Sequence, residues 1–339
     1  MSFVYASLRI NGFKGNSCFS IEHRDNCNYP LWLLREKFYS HGIILNTPDL
    51  NVNKRVEFEI HIDVQKSEPL CPTYLFLWET NQVNPKNRVN DMFKRYRRVF
   101  SWDDSLVEAY GYVKFYLPIA NDFVPFSSGW SGRDKLCCAI AGNKSAKKKD
   151  RQELYSKRIE TFKWFERNAP NHFDLFGNGW DSPPRHPGFF DKFASRFFTF
   201  LHRWSSIKPF PSYRGPVDRK RDTLAKYRFS ICYENVSELP GYITEKIFDC
   251  FFAGTVPVYW GASNIFDYIP QTCFIDRRNF SDHESLYRFL SNMPESNYIE
   301  YQNSIKDYLL SSQIKPFNSE SFASNTINVI MADIANYYD

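Results

Sequence analysis

The sequence predicts an α/β protein built as two halves, each around a parallel sheet. Short apolar strands alternate with helical stretches through the first 120 residues, the pattern of βαβ units. Pro, Gly and Ser then gather in "LPIANDFVPFSSGWSGRD", which reads as a linker, and the alternation starts again beyond it. With 339 residues, 43% of them hydrophobic, the chain is long enough for about two domains, each with its own core.

In the first half, "FVYASLRI" is a strand, and "YPLWLLREKFYSHG" is a helix closed by Gly42. "TYLFLWE" is continuously apolar, as a parallel strand buried on both faces would be. "RVFSWD" and "VKFYLP" come next at short spacing. The second half opens with the strand "KLCCAIAG" and a long polar helix from about Gln152 to Asn168. "FDLFGNGW" is a strand ending in a glycine turn, and residues 186–204 form an extra helix. "YRFSICYEN" is a strand, "YITEKIFDCFFAG" a helix and "TVPVYW" the next strand. Pro257 cannot donate to a ladder, so a near-edge or first-residue position is expected for it. The chain from Ser319 is helical and can pack back across the first half. The expected division is 1–125, 126–318 and a C-terminal helix over 319–339.

Composition narrows the class. Mean hydropathy is −0.49. No run of 18 apolar residues is present, and the N-terminus lacks the charged-then-apolar layout of a signal peptide. The eight cysteines contain no C-x-x-C and are not clustered with histidines, so reduced, mostly buried thiols and a cytoplasmic setting are expected, with neither disulfides nor zinc. Net charge is +5, concentrated in "NKSAKKKDRQELYSKR" and "RHPGFFDKFASRFFTFLHRW". That suits an anionic partner such as a nucleotide or an acidic surface; a nucleic-acid partner is not expected.

The most informative stretch is "GYITEKIFDCFFAGTVPVYWG", residues 241–261. Glu234, Asn235, Tyr242, Glu245 and Lys246 all fall at one strand-to-helix junction, at the carboxyl end of a buried strand. Free N–H groups and a positive dipole end make a helix N-terminus a ready anion site. A lysine there is a second positive source, and the two repel unless an anion lies between them. A diphosphate meets that requirement, and the acceptor-only carboxylate of Glu245 suits the paired hydroxyls of a ribose. The bland alternative is a helix whose lysine simply reaches out to water.

"CYENVSELPGYITEKIFDCFFAGTVPVYWGASN" closely resembles the donor-binding motif of the α-1,3/4-fucosyltransferases, glycosyltransferase family ten. "YIPQTCFIDRRNF" resembles the family's next stretch of chain, and "YLFLWETNQVNP" and "LCCAIAGNKS" carry a weaker likeness. The resemblance implies a GT-B fold, two Rossmann-like domains facing a central cleft, with GDP-fucose in the C-terminal domain and the acceptor in the N-terminal one. It implies an inverting transfer that needs no metal. Position by position, Asn235, Tyr242, Glu245 and Lys246 match the family's donor-contacting residues, Lys246 on the diphosphate and Glu245 on the ribose. The family's phosphate arginine falls on Arg158 or, because the spacing here is longer, on Arg151; Arg158 directly precedes the apolar stripe Ile159, Phe162, Phe165. Glu79, at the end of "YLFLW", matches the catalytic base, which an inverting transfer needs to take the acceptor proton.

Asp103 and Asp104 in "SWDDSLV" are expected to cap a helix rather than to clasp manganese. The implied acceptor is a glycan or a lipid-linked oligosaccharide, containing N-acetylglucosamine and joined in α-1,3 linkage, as in bacterial enzymes that decorate surface polysaccharides. Two other readings stand beside this one: a transferase for another GDP-deoxysugar, and an inactive protein that only binds nucleotide or glycan. In residues 186–204, Phe189, Phe193, Phe197 and Leu201 form one apolar helical stripe flanked by Lys192, Arg196 and Arg203. That helix either packs on the core or docks on anionic lipid at the inner face of the membrane.

Overall fold

The computed structural model describes residues 3–66, 68–89, 91–120, 125–146, 150–183 and 209–338. The helix expected over 186–204 lies outside the described residues. The chain divides into two compact units, one comprising 1–121, 240–242 and 314–339, the other 122–239 and 243–313.

In the first unit, β1 (Val4–Arg9) leads through α1 (Tyr29–Ser40) to β2 (Ile43–Asn46). Then come β3 (Val56–Ile62), β4 (Thr73–Leu77), β5 (Arg98–Ser101), α2 (Asp104–Tyr110) and β6 (Val113–Lys114). The sheet order is β2-β1-β3-β4-β5-β6, every pair parallel. β4 is buried at all five positions, which is why it reads as an unbroken apolar run. Phe76 on β4 stacks on Phe100 of β5 with centroids 4.1 Å apart, and Phe322 of the C-terminal helix meets its edge.

Sequence reading does not find β2 and β3. β2 is four residues long, and β3 interrupts its apolar residues with Glu57, Glu59 and His61. Glu57 is only partly buried and pairs with the exposed Arg55, whereas Glu59 and His61 are buried and are tolerated because they are paired within the sheet. Arg9 donates from Nε and Nη2 to the two Glu59 oxygens, both at 2.9 Å, and His61 Nε2 lies 2.9 Å from Glu59 Oε2. Burial alone would raise the Glu59 carboxyl; His61 and Arg9 outweigh it and bring it down to about 2.

The second unit runs from β7 (Lys135–Ile140) through α3 (Tyr155–Asn168), β8 (Phe173–Phe176) and α4 (Lys220–Leu224) to β9 (Tyr227–Tyr233). It continues with α5 (Glu245–Ala253), β10 (Val256–Trp260), β11 (Ile275–Asp276), α6 (His283–Ser291) and α7 (Glu295–Leu310). The order is β11-β10-β9-β7-β8, again all parallel. Numbered within their own units, the two sheets share the order 2-1-3-4-5, and the strand order reverses between β1 and β3 and between β7 and β9. Pro257 is the second residue of β10, and the ladder to β11 begins only at Val258. The missing donor therefore falls where β10 has a neighbour on one side only.

Two expectations need adjusting. α3 begins at Tyr155, not near Gln152, because residues 152–154 are occupied in pairing with the chain after β9. The second part of the expected linker is not loose. Arg133 is buried, and its guanidinium donates to the carbonyls of Ala225 at 3.0 Å and Ala253 at 2.7 Å, closing the C-terminus of α5. At that terminus Gly254 takes φ +68, a left-handed position that glycine adopts without steric cost.

The C-terminal stretch forms α8 (Ser319–Tyr338), which belongs to the first unit and packs along α1. None of the eight cysteines is in a disulfide, and Cys18, Cys137, Cys138, Cys232, Cys250 and Cys273 are buried. Burial pushes the Cys137, Cys138 and Cys232 thiols well up. Among the described residues no helix is long and apolar enough to cross a membrane.

The Glu59 network has a consequence in acid. Its carboxyl is depressed in the folded chain, so its contribution is fully present above the unfolded value near 4.5 and is lost as pH falls toward about 2. At about 1.4 kcal/mol per pKa unit, roughly 2–4 kcal/mol is at stake. Urea unfolding between pH 6 and pH 2.5 should show this loss, and Glu59→Gln should be less stable at pH 6 and flatter across the range.

Candidate functional site

In open α/β sheets ligands bind beyond the carboxyl ends of strands, at the point where strand order reverses. In the second unit that point lies between β7 and β9, and β9 ends at Tyr233. Glu234 comes next and is fully buried. Its N–H donates to the Trp260 carbonyl at 2.8 Å, so it stays in register with the end of β10. Gly261 must be glycine here, because a Cβ would lie 2.6 Å from Glu234 Cγ and overlap the Tyr259 hydroxyl.

Thr244 is the N-cap of α5, and its Oγ1 accepts from the Lys246 N–H at 3.5 Å, a long bond. Thr244 N–H donates to Glu234 Oε1 at 2.9 Å, and its hydroxyl donates to Oε2 at 2.8 Å. Lys246 Nζ completes the set, 3.1 Å from Glu234 Oε2 and 2.9 Å from Thr244 Oγ1. This corrects the expectation that only an external anion reconciles Lys246 with the helix dipole. An anion is already present in the chain, because β9 delivers the Glu234 carboxylate under the first turn of α5. An acidic residue directly after the apolar run "FSICY" was the available signal.

Glu245 sits on the outer side of the same turn, about half exposed. Its Oε1 is 4.0 Å from Lys246 Nζ and 3.9 Å from Lys220 Nζ. Desolvation pushes its carboxyl up, but the two ammonium groups outweigh it and bring it down to about 2. Glu245 is therefore an acceptor at neutral pH.

Arg158 is the fourth residue of α3 and is buried. It reaches the junction because residues 152–154 lie alongside 235–237: Ser237 N–H donates to Gln152 O at 2.7 Å and Leu154 N–H to Asn235 O at 3.0 Å. Arg158 Nη2 then donates to Glu234 O at 2.6 Å and to Asn235 Oδ1 at 2.9 Å. Arg151 is exposed. The structure thus brings together Arg158, Asn235, Glu245 and Lys246, with Glu234 at their centre.

Tyr242 is buried and belongs to the first unit, its ring 4.7 Å from that of Trp102. Glu79 is also in the first unit, two residues past β4 and partly exposed. Its loop is held by Asp63, a buried residue with φ +62 that the sequence reading overlooked. Asp63 Oδ1 accepts from the N–H groups of Trp78 and Glu79, at 2.8 and 2.9 Å, and from Asn87 Nδ2 at 2.6 Å. Asp103 caps α2 through Ser105 N–H at 2.9 Å, and Asp104 pairs with Lys114 at 2.5 Å. Among the described residues no three His, Cys, Asp or Glu side chains group as a metal-binding set.

Two doubly wound parallel sheets, the second with a cation-bearing strand-to-helix junction at its switch point, define the GT-B class of glycosyltransferase folds. The chain aligns over 96% of its length with an α1,3-fucosyltransferase structure containing GDP-fucose, at a TM-score of 0.52 and 13% identity, covering 90% of that chain. It aligns equally broadly with an α-glucosyltransferase in complex with UDP, over 97% of its length and all of that chain, at 0.54 and 11%. These likenesses speak to fold. Sequence adds a family match: residues 206–326, which include the start of α5, match the model of the glycosyltransferase family 10 (fucosyltransferase) C-terminal domain.

A Helicobacter pylori α-(1,3)-fucosyltransferase is 33% identical over 75 residues, 22% of this chain and 15% of that protein. An Arabidopsis thaliana α-(1,4)-fucosyltransferase is 31% identical over 86 residues, 25% of this chain and 21% of that protein. A mouse 4-galactosyl-N-acetylglucosaminide 3-α-L-fucosyltransferase 9 is 37% identical over 90 residues, a quarter of either chain. The matched segments thus span a quarter or less of these curated relatives.

Asp63→Ala should leave two backbone N–H groups of the Glu79 loop without their acceptor. At about 1–3 kcal/mol for a buried donor left unsatisfied, the melting temperature should fall by several degrees. Asp63→Asn, which keeps one acceptor oxygen, should lose less in the same melting experiment.

Proposed function

We propose that this chain is an inverting fucosyltransferase that moves L-fucose from GDP-fucose to a hydroxyl of a glycan acceptor. The observation that carries the reading is the α5 junction. Lys246, Arg158 and the helix N-terminus converge beyond β9, within or against the segment that matches family 10. The GDP diphosphate binds there, with Lys246 and Arg158 on its oxygens, Asn235 beside Arg158, and Glu245 accepting from the ribose hydroxyls; Tyr242 is kept as a donor contact on the family resemblance alone. Glu79 takes the proton from the acceptor hydroxyl as that oxygen attacks the anomeric carbon from the face opposite the diphosphate. The bond from the anomeric carbon to the phosphate oxygen breaks, and the charge growing on GDP is stabilised by the positioned cations and the helix dipole. On this reading side-chain cations do the work that a metal does in other transferases.

The acceptor contains N-acetylglucosamine and receives fucose in α-1,3 linkage. The reaction takes place in the cytoplasm, on glycans destined for a bacterial surface polysaccharide. The curated relatives with α-1,3 and 3-α-L activity in their names support the linkage. Residues 186–204, outside the described residues, are the segment that would hold the enzyme against a membrane bearing a lipid-linked acceptor.

The test is a screen of nucleotide sugars against a glycan acceptor panel in buffer containing EDTA, with product linkage determined. Transfer from GDP-fucose alone supports the reading; transfer from a different GDP-deoxysugar replaces the donor, and no transfer from any donor leaves a binding protein. Glu79→Gln should cut turnover about 10²–10⁴-fold while GDP still binds. Turnover near the unaltered level would make Glu79 a surface charge. Lys246→Ala and Arg158→Ala should each weaken GDP binding roughly 10- to 150-fold in calorimetry, the worth of a charge-assisted contact of about 1.5–3 kcal/mol. The same loss for Arg151→Ala, with none for Arg158→Ala, would move the phosphate arginine to the exposed position.

A further inference from the structure

We infer that Glu234 is the positioning residue of the donor site, holding both diphosphate cations through two different groups of one residue. This rests on the reading of the α5 junction as a GDP site. Glu234 is fully buried, and every polar part of it is used. Its N–H is tied to Trp260 O at 2.8 Å, so the residue cannot move without disturbing the β9–β10 ladder. Its carbonyl accepts from Arg158 Nη2 at 2.6 Å. Its carboxylate accepts from Thr244 N–H, the Thr244 hydroxyl and Lys246 Nζ, between 2.8 and 3.1 Å. The separation of the two cations is therefore set by the geometry of a single residue at the end of a central strand.

The chemistry requires a carboxylate. Three donors converge on its two oxygens, and an ionised carboxyl is acceptor-only. A glutamine of the same shape offers one acceptor oxygen and turns an N–H₂ group toward a donor. Thr244 is fixed by the backbone of the cap, whereas Lys246 ends a flexible four-carbon stem, so Lys246 is the group that is displaced. The carboxylate and the ammonium also compensate each other's burial, as a buried charge must be compensated. Glu234 touches no substrate in this account; it acts through Lys246 and, by its main chain, through Arg158.

The discriminating experiment is a double-mutant cycle on GDP affinity, measured by calorimetry on the full chain. Glu234→Gln should weaken GDP binding roughly 10- to 150-fold, in the range of Lys246→Ala. The double variant Glu234→Gln/Lys246→Ala should be no weaker than Lys246→Ala alone, because of the two side chains that meet the Glu234 carboxylate only Lys246 is read as a diphosphate contact. Paired with Arg158→Ala, which meets Glu234 through its unaltered main chain, the losses should multiply. A general loosening of the fold would multiply in both pairs, and that result overturns the inference. If Glu234→Gln does not fold, Thr244→Val takes its place. It removes the hydroxyl shared by Glu234 and Lys246 while keeping the backbone bond, and its loss should likewise be absorbed by Lys246→Ala. A folded variant that binds GDP as tightly as the unaltered protein also overturns the inference, and leaves the donor-site reading intact. Failure of the unaltered protein to bind GDP overturns both.

Discussion

A carboxylate with no exposure to water has to be satisfied by the protein around it, and at Glu234 that requirement organises the second unit. The carboxylate takes up the N–H and hydroxyl of Thr244, so it decides where α5 begins. It takes up Lys246 Nζ, so it decides where that cation points. Removing one partner of a buried pair of this kind typically costs about 3–5 kcal/mol, because the other charge is left uncompensated. The residue's main chain, clamped to Trp260, fixes the same point relative to β10. The packing limit at Gly261 has the same origin, since the space its side chain would fill is taken by Glu234 and Tyr259.

The first unit repeats the device with a different carboxylate. Asp63, just past β3 and in a left-handed backbone conformation, gathers the N–H groups of Trp78 and Glu79 and the amide of Asn87. Burial pushes its carboxyl up, and those hydrogen bonds oppose the rise. Both loops that carry candidate chemistry are thus held by a buried acid just past the end of a strand, Glu234 from the strand before its own loop and Asp63 from the neighbouring one. Loops alone are the least ordered way to present reactive groups; anchoring their N–H groups to a carboxylate makes them part of the sheet's framework.

The five-stranded second sheet repeats the order of the first five strands of the six-stranded first sheet, so each has one switch point at the carboxyl end of its first and third strands. In the second unit the cations gather there. In the first, the facing residues of β1 and β3 are spent on the Arg9–Glu59–His61 network, while Glu79 lies at the end of the next strand. Unlike the acid anchors, that network joins two adjacent strands directly, which lets β3 carry alternating charge through a buried sheet.

The parallel α/β class was legible because fully buried strands must be apolar at every position, and "TYLFL" and "YRFSICY" nearly are. The helix from Glu245 was legible because its apolar face, its threonine cap and its closing Gly254 agree, and the motif around it was specific enough to place Asn235, Glu245 and Lys246 at one junction, while Tyr242 packs on Trp102 in the first unit. β3 was not legible, because its polar residues break the apolar run and the buried Glu59 finds its arginine on the neighbouring strand, about 50 residues earlier in the chain. Nor could the chain's own order show that Arg158 meets Asn235, 77 residues away, since that contact needs residues 152–154 to lie against 235–237. Glu234 could be placed near Lys246 from the sequence, but that its carboxylate is buried under the first turn of α5 and takes the ammonium could not. Local sequence determined which groups carry charge and which stretches become helices and central strands. Only the tertiary structure decided which buried donors and acceptors meet, because satisfying a buried charge is a condition on neighbours in space and not on neighbours in the chain.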